Sequence, residues 1–311
     1  MAAPTMKVAR FQNYGPPETL VLADVDRPVP GDGQLLVKVH ATGVHPFDTK
    51  LRRGLMQEFM PLSLPHTPGI DFAGVVESVG PGVTDFATGD AVFGKASGAY
   101  AEFVVASIDA VALKPGRLTF EDSATLPVGA GTAWTALFEA ADVQPGQHVL
   151  VHGGAGGVGM YAVQLARWKG AHVIATTSAT NIDFVKGLGA ESVIDYGATR
   201  FEDVVRDMDA VIDTVGGDVL DKSWAVLKPG GILVTIAGRP SEEIAREHGV
   251  RATSIQGHAD AARLRQIAKL VDDGSVTVEV AKVFPLADAA KAHALSETGH
   301  GRGRIVLRVP G

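Results

Sequence analysis

A chain of 311 residues, at roughly 100–200 residues per domain, is expected to hold about two domains. Its 28 Lys and Arg against 35 Asp and Glu leave a formal charge of −7, which offers no broad attraction to a phosphate backbone and argues against nucleic acid as the main partner. With no cysteine, disulfides, thiolate zinc sites, iron–sulfur clusters and a cysteine nucleophile are excluded.

No apolar run approaches the ~18 residues that a membrane span needs. The first residues, MAAPTMKVARF, lack the apolar core of a signal peptide, so a soluble cytoplasmic protein is expected.

Up to about residue 118 the chain reads as an irregular β domain. Short β-rich runs, LLVKVHATGV (35–44), DFAGVVESVG (71–80), AVFG (91–94) and AYAEFVVA (99–106), alternate with turns rich in Gly and Pro. After residue 118 the pattern becomes β-α-β-α. HVLVHG (148–153), HVIATT (172–177), SVIDY, DAVIDTV (209–215), GILVTIAG (231–238) and RATSIQG (251–257) read as strands with helical spacers. Nearly continuous apolar strands separated by helices predict a doubly wound parallel sheet covered on both faces. The tail breaks this rhythm with an amphipathic helix (259–274), SVTVEVAKVF, a short helix and RIVLRV. Its two strands have nothing to extend in a completed doubly wound sheet, so they are expected to return to the first domain.

The sharpest chemical signal is VHGGAGGVG (151–159). Gly154, Gly156 and Gly159 have the G-x-G-x-x-G spacing, after a strand and at the opening of a helix. One glycine permits the turn, one lets backbone approach a pyrophosphate, and one allows close packing of helix on strand. The N–H groups of Gly154, Ala155, Gly156, Gly157, Val158 and Gly159 are then expected to meet the anion with the help of the helix dipole. An NAD site usually carries Asp or Glu about 20 residues beyond the first motif glycine. Here the strand ends Thr176-Thr177-Ser178-Ala179-Thr180-Asn181, with no acid before Asp183. Thr177 and Ser178 leave room for a 2′-phosphate without repelling it, which points to NADPH; Lys186, Tyr196 and Arg200 are candidates to assist. Capping of the next helix is the structural alternative for these hydroxyls.

On these residues, and on GVHPFDTKLRRG (43–54), PGIDFAGVVESVG (68–80), ATLPVGAGTAWTAL (124–137), LKPGG (227–231) and GHGRGRIVL (299–307), the chain resembles the medium-chain dehydrogenase/reductase superfamily, and within it the zinc-free quinone oxidoreductases, the zeta-crystallin-like and enone reductase group. The resemblance implies an α/β protein. A GroES-like, β-rich substrate domain would comprise residues 1–117 and 259–311, and a Rossmann NADP-binding domain residues 118–258, with the active site in the cleft and a homodimer formed through RATSIQG. It implies that Thr132 approaches the nicotinamide. Val215, Ala237 and Gly238, beyond the carboxyl ends of two strands, are expected to line the cofactor groove, ordinary turns being the alternative.

The zinc enzymes of the superfamily carry Cys where this chain has His45, and a His-Glu pair where it has Ile70 and Asp71. One His and one Asp fall short of the three protein ligands of a catalytic zinc, so no metal is expected. The same resemblance offers Lys50, Asp48 and His45 as catalytic candidates. Lys50 follows Asp48 by two residues, as in enone reductases, whereas the Tyr donor of enoyl reductases is replaced by Met56. His45 either contacts substrate or only fastens its loop, and Lys50 could be a plain surface lysine. The implied function is NADPH-dependent, metal-free reduction of quinones or α,β-unsaturated carbonyls. A non-catalytic, crystallin-like NADPH-binding protein and a secondary-alcohol dehydrogenase are the alternatives.

Overall fold

Among the described residues, local sequence sets fifteen strands into three sheets. In the computed structural model, which describes residues 4–257, 259–299 and 301–310, the N-terminal strands are β1 (Thr5–Arg10), β2 (Val21–Asp26), β3 (Gln34–Val44), β4 (Asp71–Val79), β5 (Ala91–Lys95), β6 (Phe103–Ser107) and β7 (Val111–Leu113). Six further strands follow: β8 (His148–His152), β9 (His172–Thr177), β10 (Ser192–Asp195), β11 (Met208–Asp213), β12 (Leu227–Thr235) and β13 (Arg251–Ser254). The last two are β14 (Val280–Pro285) and β15 (Arg304–Arg308).

The chain divides into two compact units. One takes in Met1–Val128, Ala259–Asp272 and Val278–Gly311, the other Gly129–His258 and Asp273–Thr277. The sequence rhythm changes at about 118, but the first unit runs ten residues further. The short helix Phe120–Ser123, capped by Thr119 and Asp122, packs on β3 and β4 and so stays with the first sheet. Small antiparallel β1–β2 pairing accompanies a seven-strand sheet, six of whose strands follow the path β14-β15-β3-β4-β5-β7 while the seventh, β6, pairs with β3 off that path.

The two tail strands return to this first sheet. β15 pairs antiparallel with β3, Ile305 opposite Val44 and Leu307 opposite Thr42. Its Val306 and Leu307 are fully buried, and burial of each such side chain contributes roughly 1.5–3 kcal/mol. The first strand expected in the tail begins later than the sequence run: SVTVEVAKVF pairs only from Val280 onward. Phe11, Leu35, Val37, Phe72, Val92 and Tyr100 centre the core of this unit.

The second unit holds a six-strand sheet in the order β10-β9-β8-β11-β12-β13, with every pairing parallel. Valine, leucine and isoleucine at 149–151, 211–212 and 232–234 are almost fully buried, as expected of strands covered on both faces. The order reverses between β8 and β11, each of which continues to its own side. A dinucleotide binds at such a switch point, outside the carboxyl ends of the strands.

Candidate active site

The glycine-rich loop stands at that switch point, between β8 and the helix Gly159–Trp168. Its glycines answer to different constraints. A Cβ on Gly159 would stand 2.1 Å from the Gly153 carbonyl oxygen, so a side chain there would push the helix off the loop. A Cβ on Gly154 would press on Ala175 and Val185, the floor of β9 and its following helix. Gly156 is different: the only atom near its absent Cβ is the Gly153 oxygen, at 3.3 Å. Apart from that tight contact no protein atom lies within 4 Å of the missing Cβ, and this fits close approach of a pyrophosphate. The helix carries no acidic side chain in its first turn to neutralise its positive end.

The loop is tied to β9. Gly154 N donates to Thr176 O at 2.9 Å, and Gly153 N lies 3.3 Å from Thr176 Oγ1. His152, fully buried, sits beneath: Nδ1 is 3.1 Å from Thr176 Oγ1 and Nε2 is 3.1 Å from Ser223 Oγ. Since Ser223 Oγ donates to Val219 O, it accepts from His152 Nε2, which leaves Nδ1 to accept from Thr176. Burial above all holds the imidazole neutral, bringing its pKa down to about 4.

At the end of β9 the structure separates the two hydroxyls that the sequence pairs. Thr177 is buried, while Ser178 is half-buried, with Oγ 3.0 Å from Asn181 Nδ2. Tyr196 follows β10, its N–H on Thr177 O at 3.1 Å and its ring exposed. Arg200 is taken up by Glu202 and Asp203, and Lys186 is exposed on its helix. Across the switch point, Val215 is 52% exposed, Ala237 half-buried and Gly238 exposed, beyond β11 and β12. Thr132 is buried against Gly257, where a Cβ would stand 1.9 Å from Thr132 Oγ1.

In the first unit, His45 precedes the helix Pro46–Arg52 and is buried together with Asp48. The β3–β15 register, extended one step, sets Arg304 against His45. Arg304 can only donate, so His45 Nδ1 accepts from it and Nε2 carries the proton, 3.0 Å from Asp71 Oδ2. Asp71 Oδ1 accepts from Val128 N at 3.0 Å. Asp48 Oδ2 accepts from His45 N at 2.9 Å and Oδ1 from Gly69 N at 3.2 Å, while Tyr100 OH reaches Oδ2 at 3.4 Å. Behind Tyr100 the chain of donors continues: Arg52 Nε on His293 Nδ1 at 3.2 Å, and His293 Nε2 on Tyr100 OH at 3.1 Å. Burial, then the Arg52 charge, brings His293 down to about 3. Burial pushes the Asp48 carboxyl up.

The geometry of the three catalytic candidates therefore differs. His45 accepts from Arg304, and Asp48 accepts from His45 N and Gly69 N, both residues being buried within their own unit. Lys50, two residues beyond Asp48 and so on the far side of the helix, is exposed. The structure does not bring Lys50 and Asp48 together. A zinc ion does not fit the His45–Asp71 pair, whose imidazole is held by the Arg304 guanidinium. Among the described residues no three His, Asp or Glu side chains are grouped to hold a metal. Sequence reasoning passed over Arg304, Arg52, Tyr100 and His293. It also passed over Asp213, although an acid ending an apolar strand before Thr-Val-Gly-Gly is a turn signal.

Comparison with known proteins agrees with this architecture. Residues 31–116 match the family model described as alcohol dehydrogenase GroES-like domain, and residues 188–307 that described as zinc-binding dehydrogenase. The chain is 35% identical to the quinone oxidoreductase of Sus scrofa, over 96% of this chain and 95% of that protein. It is 32% identical to the chloroplast envelope quinone oxidoreductase homolog of Arabidopsis thaliana, over 99% of each. The solved structure of the quinone oxidoreductase from Coxiella burnetii superposes with a TM-score of 0.90 at 37% identity, covering 99% of this chain and 100% of that one. A mycobacterial protein solved in complex with NADPH superposes at 0.88 with 33% identity, covering 97% and 99%. The chain is thus an oxidoreductase, and it belongs to the medium-chain dehydrogenase/reductase superfamily, in the zinc-free quinone oxidoreductase group.

Proposed function

We propose that the protein is an NADPH-dependent, zinc-independent reductase of quinones or α,β-unsaturated carbonyls. The observation that carries this reading is the acid-free end of β9: beside the glycine-rich loop, the half-buried Ser178 stands where an NAD site usually has a carboxylate. When bound, the cofactor supplies a hydride to an electron-poor carbon. The residues of this chain cradle its pyrophosphate on the N–H groups of 154–159, admit its 2′-phosphate beside Ser178 and Tyr196, and line its other half with Val215, Ala237 and Gly238. As hydride reaches the substrate, an electron pair moves to the carbonyl oxygen. Lys50 is the group that we assign to stabilise that charge, with the proton then drawn from solvent.

Self-association through the edge strand β13 belongs to the same reading. A second reading is favoured by one observation: His45 and Asp48 are both engaged within their own unit, as a protein that holds NADPH without turnover would tolerate. Steady-state oxidation of NADPH and of NADH against a panel of quinones and enones, with and without chelator, tests the proposal. Turnover that prefers NADPH and survives the chelator is expected; tight NADPH binding with no turnover on any acceptor favours the second reading.

A further inference from the structure

Asp213, the last residue of β11, is fully buried, and its carboxylate spans two turns. Oδ1 accepts from Val215 N and from Gly216 N, both at 2.9 Å. Oδ2 accepts from Thr235 Oγ1, at the end of β12, at 2.7 Å. That hydroxyl in turn accepts from Ala237 N at 3.1 Å, and Ile236 N donates to Asp213 O at 3.0 Å. Gly216 takes φ +79°, and a Cβ on it would meet the Ala237 oxygen at 2.9 Å. One carboxylate therefore fixes the turn after β11, the turn after β12 and their mutual packing.

This arrangement also sets which way the peptides face. In a trans peptide the N–H and the preceding C=O point in opposite directions. With the N–H groups of Val215 and Gly216 turned inward onto Asp213, the carbonyls of Thr214 and Val215 are turned outward, beyond the strand ends. An apolar residue at 213 would leave both peptides free to flip and two donors unpaired.

We infer that Asp213 is a positioning residue for the nicotinamide half of the cofactor, acting through the turns 214–217 and 235–238. The inference rests on the dinucleotide reading above. In that reading the adenosine half lies toward β9, where the ribose-selecting position stands, so the other half crosses the switch point toward β11 and β12. Asp213 touches no part of the cofactor, and its effect is confined to the half that these turns line.

The test separates the two halves. Binding of NADPH and of adenosine 2′,5′-bisphosphate is titrated in wild type, Asp213→Asn and Thr235→Val, with folding followed by circular dichroism. Asn keeps an acceptor for the turn after β11 but presents an amide donor toward Thr235. Val keeps the shape of Thr235 and removes its hydroxyl. NADPH is expected to bind about tenfold or more weaker in Asp213→Asn, and weaker in Thr235→Val, since a stranded buried donor is worth about tenfold in an equilibrium constant. Adenosine 2′,5′-bisphosphate is expected to bind both variants as it binds wild type. Equal weakening of both ligands, or of neither, overturns the inference. If Asp213→Asn does not fold, Thr235→Val decides by the same comparison. A wild type that binds neither ligand contradicts the dinucleotide reading itself.

Discussion

Gly159 lies so close under Gly153 that a Cβ on it would stand 2.1 Å from the Gly153 carbonyl oxygen. A Cβ on Gly156 would stand 3.3 Å from the same oxygen, a contact that a shift of a few tenths of an ångström relieves. The two glycines are therefore expected to respond differently. Gly159→Ala should lower stability by at least 1–3 kcal/mol, in the range of overpacked sites. Gly156→Val should lower the thermal midpoint less than Gly159→Ala does, and weaken NADPH severely. Thermal unfolding and fluorescence titration of both variants check this; a well-folded Gly159→Ala with normal affinity would contradict it.

Cofactor choice should be controlled at Ser178 rather than at Thr177. Both stand in the acid-free stretch, but Thr177 is buried and an Asp there would be an unpaired buried carboxylate. Ser178→Asp is expected to shift preference from NADPH toward NADH by about tenfold or more, as a carboxylate repels a phosphate and accepts from a ribose hydroxyl. Thr177→Asp is expected chiefly to destabilise. Dissociation constants for both cofactors, with melting curves, distinguish the two.

Acid should destabilise the fold through its neutral buried histidines. His152 goes from an ordinary pKa of 6.5 in the unfolded chain to about 4 in the fold, and His293 to about 3. Between these values the unfolded state binds more protons, so stability rises with pH. The contribution is complete above 6.5 and is lost as pH falls toward 4, by about 3 kcal/mol for His152. Asp48, pushed up by burial, acts in the opposite sense just above 3.8. Urea unfolding from pH 7 to 4 should show this loss, and His152→Gln should flatten the slope. An unchanged slope in the variant would refute the assignment.

Lys50 should matter to turnover and not to cofactor affinity. Lys50→Ala is expected to lower hydride transfer to an enone about a hundred- to thousand-fold, the worth of one good donor to a developing oxyanion. Because that charge develops in the transition state, substrate binding should change far less. Lys50→Arg should recover only part. A wild-type single-turnover rate in Lys50→Ala would return Lys50 to a plain surface role.

Much of the architecture was legible because it rests on local patterns. The parallel strands announce themselves as apolar runs, and the orphan strand RIVLRV had to pair elsewhere, as it does with β3. The glycine-rich loop is legible for the same reason, since glycine spacing, strand and helix are contiguous. The polar interior of the first unit is not. Arg52, Tyr100 and His293 meet only through tertiary packing, across sequence separations of up to 241 residues. Arg304 reaches His45 only because the β15 register puts it there. Thr177 and Ser178 look equivalent as sequence, but β9 ends at Thr177, which is buried within the sheet, while Ser178 lies beyond it.

In the proposed reaction this chain transfers hydride from NADPH to an electron-poor acceptor without a metal. Its most direct measurement is a single turnover: the chelator-treated protein, loaded with one equivalent of NADPH, is mixed anaerobically with a quinone or an enone while NADPH fluorescence is followed. Loss of the reduced cofactor, matched one for one by reduced product, is expected. NADPH that binds and stays reduced against every acceptor, or oxidation that disappears with the chelator, would contradict it.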